Sequence, residues 1–192
     1  MSETKTKTQF DGKYIAKLAI TLLAITAVAA LLLSIVYSVT KPTIDARAEQ
    51  TRNESMSQVM AGATEFTEVQ YTPTEGVTGV NAAYNGTELM GYCVQVGPSG
   101  FGGVIDMMVG VSTDGSVTGV AILNHGETSG LGTKAMTPEF LSQYVGATGK
   151  LTVKTGAPTD IDHISGATVS STAITNGVNI AMAFIAEGGV TE

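Results

Sequence analysis

Residues 77–124 read VTGVNAAYNGTELMGYCVQVGPSGFGGVIDMMVGVSTDGSVTGVAILN, and the fold class is predicted mainly from this segment. It holds four segments rich in Val, Ile and Tyr, which are residues that favour strands. Asn85-Gly86 separates the first two segments and Asp114-Gly115 separates the last two, and both dipeptides favour type I′ hairpin turns. The alternating segment TEFTEVQY at 64–71 adds one more strand. The sequence therefore predicts an antiparallel meander of about five strands.

Two helices are predicted after this meander. Thr137 as N-cap and Pro138 at the first helical position open TPEFLSQYV, which Gly146 can close. The second helix is expected from about 168 to 186, and KLTVK at 150–154 can be a short strand between the two helices. The apolar residues of the second helix recur near helical spacing; they are Ile174, Val178, Met182 and Ile185. Because no βαβ alternation appears, the expected fold class is α+β, an antiparallel sheet with flanking helices.

An uncharged apolar run precedes this domain. Residues 18–39 read LAITLLAITAVAALLLSIVYSV and contain neither Gly nor Pro. At about 1.5 Å per residue, a helix of this length can cross a hydrocarbon core of about 30 Å. A cleaved signal peptide is the alternative, but its apolar region is usually about 7–15 residues long and ends at small residues. Residues 38–41 make a poor cleavage site, so a retained transmembrane helix is favoured.

The chain is expected to divide into a cytoplasmic tail at 1–17, the transmembrane helix at 18–39, a helical stalk at 40–62 and an extracytoplasmic domain at 63–192. Pro42 suits the first turn of a new helix in the stalk. A small excess of lysine before the apolar run leans towards a cytoplasmic N-terminus in the cell membrane. Residues 42–192 carry five Lys/Arg against fifteen Asp/Glu, a formal charge of −10. This balance argues against nucleic acid as a partner.

Few side chains of this chain can carry chemistry alone. Cys93 is the only cysteine, which excludes an intrachain disulfide and a cysteine-only metal site, and its neighbours predict a packed side chain in a strand. The two histidines, His125 and His163, are far apart in sequence, so no metal site and no Ser-His-Asp or Cys-His arrangement is expected. Independent turnover of a small substrate is therefore not expected. Redox chemistry would need an organic cofactor.

The segment DHISGAT at 162–168 is a loop of small residues that leads into the last helix. Unpaired N–H groups and the helix dipole favour a phosphate at such a place. On composition alone, however, hydroxyls there are more often simple helix caps. The hydroxyl residues concerned are Ser165, Thr168, Ser170, Ser171 and Thr172.

This segment resembles the flavinylation motif D-x-x-S-G-A-T of the FMN-binding domain family. The family includes the RnfG subunit of the Rnf electron-transport complex and the C-type subunit of the sodium-pumping NADH:quinone reductase. In this family a flavin transferase moves the FMN part of FAD onto the hydroxyl of the final Thr or Ser. The resemblance implies that FMN is bound covalently, as a phosphoester, to Thr168. It also implies a recognition context formed by Asp162, Ser165, Gly166 and Ala167.

Two further segments strengthen the resemblance. NHGETSGLG at 124–132 is similar to the family's H-x-E-T-P-G-L-G loop, which lies against the flavin, although Ser129 replaces the usual Pro and makes the loop less stiff before folding. This similarity implies flavin contacts from Glu127, Thr128, Leu131 and Gly132. GPSGFGG at 97–103 resembles the segment G-x-G-Y-x-G-x-I, with Phe101 at the aromatic position. Phe101 either packs near the flavin ring or only buries its own surface.

The resemblance implies an electron-carrying subunit of a redox-driven ion translocase. Electrons would enter from an iron–sulfur centre of a membrane partner and leave to another flavin subunit, connecting ferredoxin with NAD⁺ and driving Na⁺ or H⁺ translocation. The short chain favours an Rnf-type subunit over the C-type subunit of the quinone reductase. Two different functions stay open, a flavin shuttle outside any ion pump and a membrane-tethered binding domain without cofactor. In the second of these, Thr168 would be unmodified.

Overall fold

The computed structural model describes residues 12–153 and 161–191. The chain forms two compact units, Met1–Ala48 and Glu49–Glu192. Most of the expected cytoplasmic tail, residues 1–11, lies outside the described residues.

Helix α1 runs from Gly12 to Val59 without interruption, so the expectation that Pro42 begins a new helix is wrong. Proline inside a helix removes one backbone hydrogen bond. Here Leu, Ala and Ile precede it and Ala, Arg, Glu and Gln follow it, and these good helix formers on both sides let the helix continue. In the first unit the side chains of residues 18–39 are exposed, and the helix is long and apolar enough to cross a membrane.

The second unit contains a five-stranded antiparallel sheet in which each strand pairs with the next one in the chain, which confirms the predicted meander. The strands are β1 (Glu65–Glu68), β2 (Val77–Asn85), β3 (Glu88–Val96), β4 (Asp106–Ser112) and β5 (Val117–Asn124). Successive side chains of a strand point to opposite faces. On β4, Met107 and Val109 join one apolar cluster and Met108 joins another. Both faces of the sheet are therefore covered.

The turn between β2 and β3 is not the predicted type I′ turn. That turn needs positive φ at both central residues, whereas Asn85 is the last residue of β2 and has no positive φ. Asn85 pairs with Glu88, so the two turn residues are Gly86 and Thr87. Only Gly86 has a positive φ, of +63°. This sign pattern belongs to a type II′ turn.

The turn between β4 and β5 also differs from the prediction. Ser112 N–H donates to the Ser116 carbonyl at 2.9 Å, which leaves the three loop residues 113–115, and the positive φ of +85° falls on Gly115 alone. The carboxylate of Asp114 accepts hydrogen bonds from the Ser112 hydroxyl and the Ser116 amide, and these bonds lower its pKa to about 2. An Asp side chain that accepts a hydrogen bond from the backbone N–H two residues later forms an Asx-turn, and this bond stabilises the loop.

Helix α3 (Thr168–Ala186) packs on one face of the sheet and confirms the second predicted helix. Ile174, Val178 and Met182 are buried, as their spacing predicts. Gly177 permits a close approach to the sheet, because a Cβ at this position would lie 2.7 Å from Met107 Sδ. Although α3 would also be apolar enough to span a membrane, its buried side makes it a core helix of the domain.

The last turns of α1 pack on the opposite face. They form an apolar cluster that contains Met56, Val59, Met60, Cys93 and Met108. Thr118 Oγ1 donates to the Val59 carbonyl, and a Cβ at Gly119 would lie 2.8 Å from Val59 Cα, so the helix sits directly on the strand. Burial raises the pKa of the Cys93 thiol to about 12, which confirms a packed rather than a reactive cysteine.

The region between β5 and α3 contains less regular structure than the sequence predicts. The predicted first helix is a single turn, α2 (Pro138–Leu141), followed by a 3₁₀ turn, Ser142–Tyr144. Thr137 Oγ1 caps α2 by accepting the Phe140 N–H at 3.4 Å, as expected. The described part of KLTVK, 150–153, forms no strand. Instead, the Asn179 side chain bonds both the N–H and the carbonyl of Leu151, each at 2.8 Å.

Candidate functional site

A cavity of about 370 Å³ lies where the N-terminus of α3 meets the loops that precede β4 and follow β5. In an antiparallel meander these two loops come to the same end of the sheet. The lining consists of Phe101, Glu127, Thr128, Leu131, Gly132, Gly166, Ala167, Thr168, Val169 and Ser170. All three segments that carry the family resemblance therefore contribute to one cavity. Of the candidate site residues, only Asp162 and Ser165 are not among its lining residues.

Glycines let the loops of the cavity approach one another. A Cβ at Gly102 would collide with the Gly126 carbonyl, and a Cβ at Gly132 would collide with the Glu127 carboxylate. Gly166 has a φ of +82°, a conformation that suits glycine, and it forms the tight turn that leads into α3. Close packing thus explains Gly102 and Gly132, and a left-handed backbone conformation explains Gly166.

Glu127 joins the three segments. Its side chain is only 7% exposed, its Oε1 accepts the Gly102 N–H at 2.9 Å, and its Oε2 accepts the Ser170 hydroxyl at 2.6 Å. Desolvation by itself would raise the pKa of Glu127. The hydrogen bonds from Ser170 and Gly102, a further one from the Phe101 amide and the attraction of His125 outweigh it and hold the pKa below its usual value. The group is therefore a carboxylate at neutral pH.

Thr168 is the first residue of α3, and it is exposed. Within the described residues its hydroxyl makes no hydrogen bond. The N-cap residue Ala167 provides no side-chain bond, so the interpretation that hydroxyls cap this helix is not what the structure shows. The N–H groups of Thr168, Val169 and Ser170 likewise find no acceptor in the described part of the chain. A free hydroxyl and three free donors thus meet at the cavity.

The neighbouring hydroxyls differ from that of Thr168 in burial, in hydrogen bonding or in their position relative to the cavity. Ser170 and Ser171 are buried, and their hydroxyls donate to Glu127 and to the Ala167 carbonyl, the latter at 2.9 Å. Thr172 is half-buried and does not line the cavity. Of these hydroxyls, Thr168 alone is both exposed and part of the lining.

Exposed apolar side chains surround the cavity. Phe101 is 75% exposed, Val169 52% and Leu131 51%. Within the described residues Phe101 therefore does not bury its own surface. Apolar surface grouped around a cavity is typical of a ligand site.

Val169 and Ser170 are cavity residues that the sequence patterns do not mark as flavin contacts. Val169 carries no local signal beyond its place after the motif threonine. Ser170 is one of several hydroxyls in its segment, and its partner Glu127 is 43 residues away in sequence. Asp162 is not a lining residue of the cavity, and its N–H donates to Gln143 Oε1 at 2.9 Å.

A five-stranded meander that closes a cavity with these three segments defines an FMN-binding domain. The model of the FMN-binding domain family matches residues 100–183, and that of the RnfG N-terminal region matches residues 1–59. The chain belongs to the RnfG family, whose members are subunits of Rnf-type ion-translocating oxidoreductase complexes.

Several relatives share most of their length with this chain. The RnfG subunit of the Na⁺-translocating ferredoxin:NAD⁺ oxidoreductase complex of Acetobacterium woodii is 34% identical, over 94% of this chain and 96% of the relative. The RnfG subunit of the ion-translocating oxidoreductase complex of Methanosarcina acetivorans is 32% identical, over 91% and 96%. The corresponding subunit of the proton-translocating ferredoxin:NAD⁺ oxidoreductase complex of Clostridium ljungdahlii is 32% identical, over 81% and 83%. Among solved structures, Shewanella oneidensis NqrC matches 64% of this chain and 65% of its own, at 24% identity and a TM-score of 0.45.

Proposed function

We propose that this chain carries FMN covalently, as a phosphoester on Thr168, and passes electrons as a subunit of an Rnf-type complex. The complex would transfer electrons between ferredoxin and NAD⁺ and couple this transfer to Na⁺ or H⁺ translocation. The observation that carries the proposal is the exposed, unbonded hydroxyl of Thr168 at a cavity that all three family segments line. The named activities of the RnfG relatives support the assignment to this complex.

The cavity suits FMN in size and chemistry. Its volume of about 370 Å³ falls in the range of small-molecule sites, roughly 300–1,000 Å³. The free N–H groups of Thr168, Val169 and Ser170, at the positive end of the α3 dipole, suit a phosphate group. The exposed apolar surfaces of Phe101 and Leu131 suit an aromatic ring. Glu127, Thr128 and Gly132 would complete the wall beside it.

Attachment needs FAD and a flavin transferase as maturation partner. The Thr168 oxygen would form a new bond to the phosphorus that bears riboflavin, while the pyrophosphate bond breaks and AMP leaves with the electron pair. The hydroxyl proton would pass to a base of the transferase, and no redox change occurs. The free hydroxyl of Thr168 is accessible to such an enzyme, whereas the hydroxyls of Ser170 and Ser171 are buried and already bonded.

In its attached form FMN supplies one- and two-electron transfer, and the chain supplies position and electrostatics. The Thr168 link would keep the cofactor on the protein, and the glycine-packed loops would fix the wall around it. The proposed partners are the iron–sulfur and flavin subunits of the complex. We propose that residues 18–39 of α1 cross the cell membrane with the tail 1–17 in the cytoplasm, the stalk 40–62 beyond the membrane and the flavin domain, 63–192, outside.

Mass spectrometry tests this proposal. The chain is purified from its native membrane, denatured and digested with trypsin, which releases residues 155–192 as one peptide because no Lys or Arg follows Lys154. We expect this peptide to carry FMN less one water, with fragmentation placing it on Thr168.

Three variants serve as controls for the site. Thr168→Ala removes the acceptor and is expected to abolish the adduct, Thr168→Ser keeps a hydroxyl and is expected to retain it, and Thr172→Ala alters a hydroxyl outside the cavity. An adduct on Ser170 or Ser171 would contradict the site but not the function. An unmodified peptide from a host with an active flavin transferase would instead favour a membrane-tethered binding domain without cofactor.

A further inference from the structure

We propose that Glu127 is a positioning residue of the flavin site, whose ionised carboxylate ties the walls of the cavity together and makes the bound flavin harder to reduce. The inference rests on the proposed function for the identity of the cofactor. Its structural half, the tie across the walls, rests on the chain alone.

The tie consists of two hydrogen bonds, one to each carboxylate oxygen of Glu127. Oε1 accepts from Gly102 in the loop between β3 and β4, and Oε2 accepts from Ser170 in the first turn of α3. Glu127 itself belongs to the loop after β5. One side chain therefore fixes three segments that the sequence keeps far apart, and these segments are the walls of the cavity.

Two glycines lie directly against the carboxylate of Glu127. A Cβ at Gly100 or at Gly132 would collide with the Glu127 carboxylate oxygens. Two glycines thus make space for the carboxylate, in addition to the two donors that hold it. Such a fit fixes the side chain in one conformation, which is what a positioning role requires.

Among the described residues no lysine or arginine forms an ion pair with Glu127, and His125 is the charged neighbour that acts on it. Glu127 is the only buried acidic side chain in the part of the chain that the structure describes, and the one ion pair found there, between Lys41 and Asp45, is elsewhere. A negative charge in a cavity wall acts over a short distance in a medium less polarisable than water. It disfavours the addition of electrons to a neighbouring ring, just as like charges disfavour one another's ionised forms.

Glu127→Gln separates the charge from the shape. Glutamine has nearly the same volume, its carbonyl can accept the Gly102 N–H, and its amide can donate to the Ser170 oxygen. The variant is therefore expected to fold and to carry FMN. We expect its flavin to be about tenfold easier to reduce, which corresponds to about 30 mV for a two-electron couple. Glu139→Gln removes the same charge from an exposed position outside the cavity and is expected to change nothing.

The potential is measured by redox titration of the flavin absorbance of the full chain in native membranes. A rise in Glu127→Gln but not in Glu139→Gln supports the proposal. Equal potentials in wild type and Glu127→Gln, with FMN present in both, would overturn the charge effect while leaving the proposed function intact. A wild-type chain without flavin would instead overturn the proposed function.

The tie is tested without flavin, in the Thr168→Ala background. Hydrogen exchange is followed at the Gly102 amide, which donates to Glu127, and at an amide within β4 as internal control. Adding Glu127→Ala is expected to speed exchange at Gly102 at least tenfold and to leave β4 unchanged. Ser170→Ala, which keeps the charge and removes one bond, is expected to have a smaller effect of the same sign. Unchanged exchange at Gly102 in Glu127→Ala would overturn the positioning role.

Discussion

The buried carboxylate of Glu127 makes the stability of the domain depend on pH. Its pKa in the folded chain is lower than that of an unperturbed glutamate, because hydrogen bonds and the attraction of His125 outweigh desolvation. A lowered pKa stabilises the folded state fully above the unfolded pKa, and this stabilisation is lost as the pH falls through the folded pKa. We therefore expect wild type to be more stable than Glu127→Gln at pH 7, by about 1 kcal/mol, because hydrogen bonds to a charged group are stronger than those to a neutral one.

The comparison is made by denaturant unfolding of the full chain in detergent between pH 7 and pH 3, in the Thr168→Ala background. The difference between the two chains is expected to shrink as the pH falls below about 4.3. Glu139→Gln, at an exposed position, should follow its parent at every pH. A gap between the Thr168→Ala parent and its Glu127→Gln variant that stays constant down to pH 3 would show that ionisation of Glu127 does not contribute.

The role of a site residue can be predicted from the sequence only where it depends on neighbours close in the chain. The motif 162–168 fixes which threonine starts α3, and small residues there permit a tight turn. The bond between Glu127 and Ser170 cannot be predicted, because it depends on how the loop after β5 meets α3. The same limit applies to Asp162, whose N–H donates to Gln143 and which does not line the cavity.

Among the elements, the strands and α3 follow from sequence patterns, whereas the turns do not. Strand order and the limits of α3 are set by apolar spacing and by Gly188 after the helix. Turn type depends on pairing register, and Asn85 is used as the last strand residue because it pairs with Glu88. The continuity of α1 through Pro42 likewise escapes the local signals, since the flanking helix formers outweigh one lost hydrogen bond.

The contact between the end of α1 and the sheet gives a prediction at the scale of elements. Gly119→Ala would place a Cβ 2.8 Å from Val59 Cα, against backbone that cannot rotate away. We expect this change to destabilise the domain by about 1–3 kcal/mol, as overpacking of a core does. Gly115→Asn is the matched control, since Gly115 has open space around it and a positive φ of +85° that Asn tolerates.

Thermal unfolding of the two variants distinguishes them. A lower melting temperature for Gly119→Ala and an almost unchanged one for Gly115→Asn are expected. Equal melting temperatures would mean that α1 can move away from β5 at little cost, and the contact would then not fix the helix to the sheet.

At the scale of the whole molecule, the proposed orientation follows from the basic residues on the two sides of the apolar run. Four lysines precede the run, whereas Lys41, Arg47 and Arg52 are the basic residues that follow it closely. Basic residues near a membrane helix stay on the cytoplasmic side. The acidic domain is therefore expected outside the cell membrane.

The single cysteine makes this orientation measurable. Cys93 is fully buried, and its pKa is raised to about 12, so the folded wild-type chain should not react with a membrane-impermeant maleimide. Thr87→Cys places a thiol in the exposed turn between β2 and β3, and Thr6→Cys places one in the N-terminal tail. The reagent is added to cells whose cytoplasmic membrane is intact and accessible from outside. Thr87→Cys is expected to react under these conditions, and Thr6→Cys only after lysis. Labelling of Thr6→Cys before lysis, with Thr87→Cys protected, would place the domain in the cytoplasm and remove the need for a covalent link that retains FMN outside the cell.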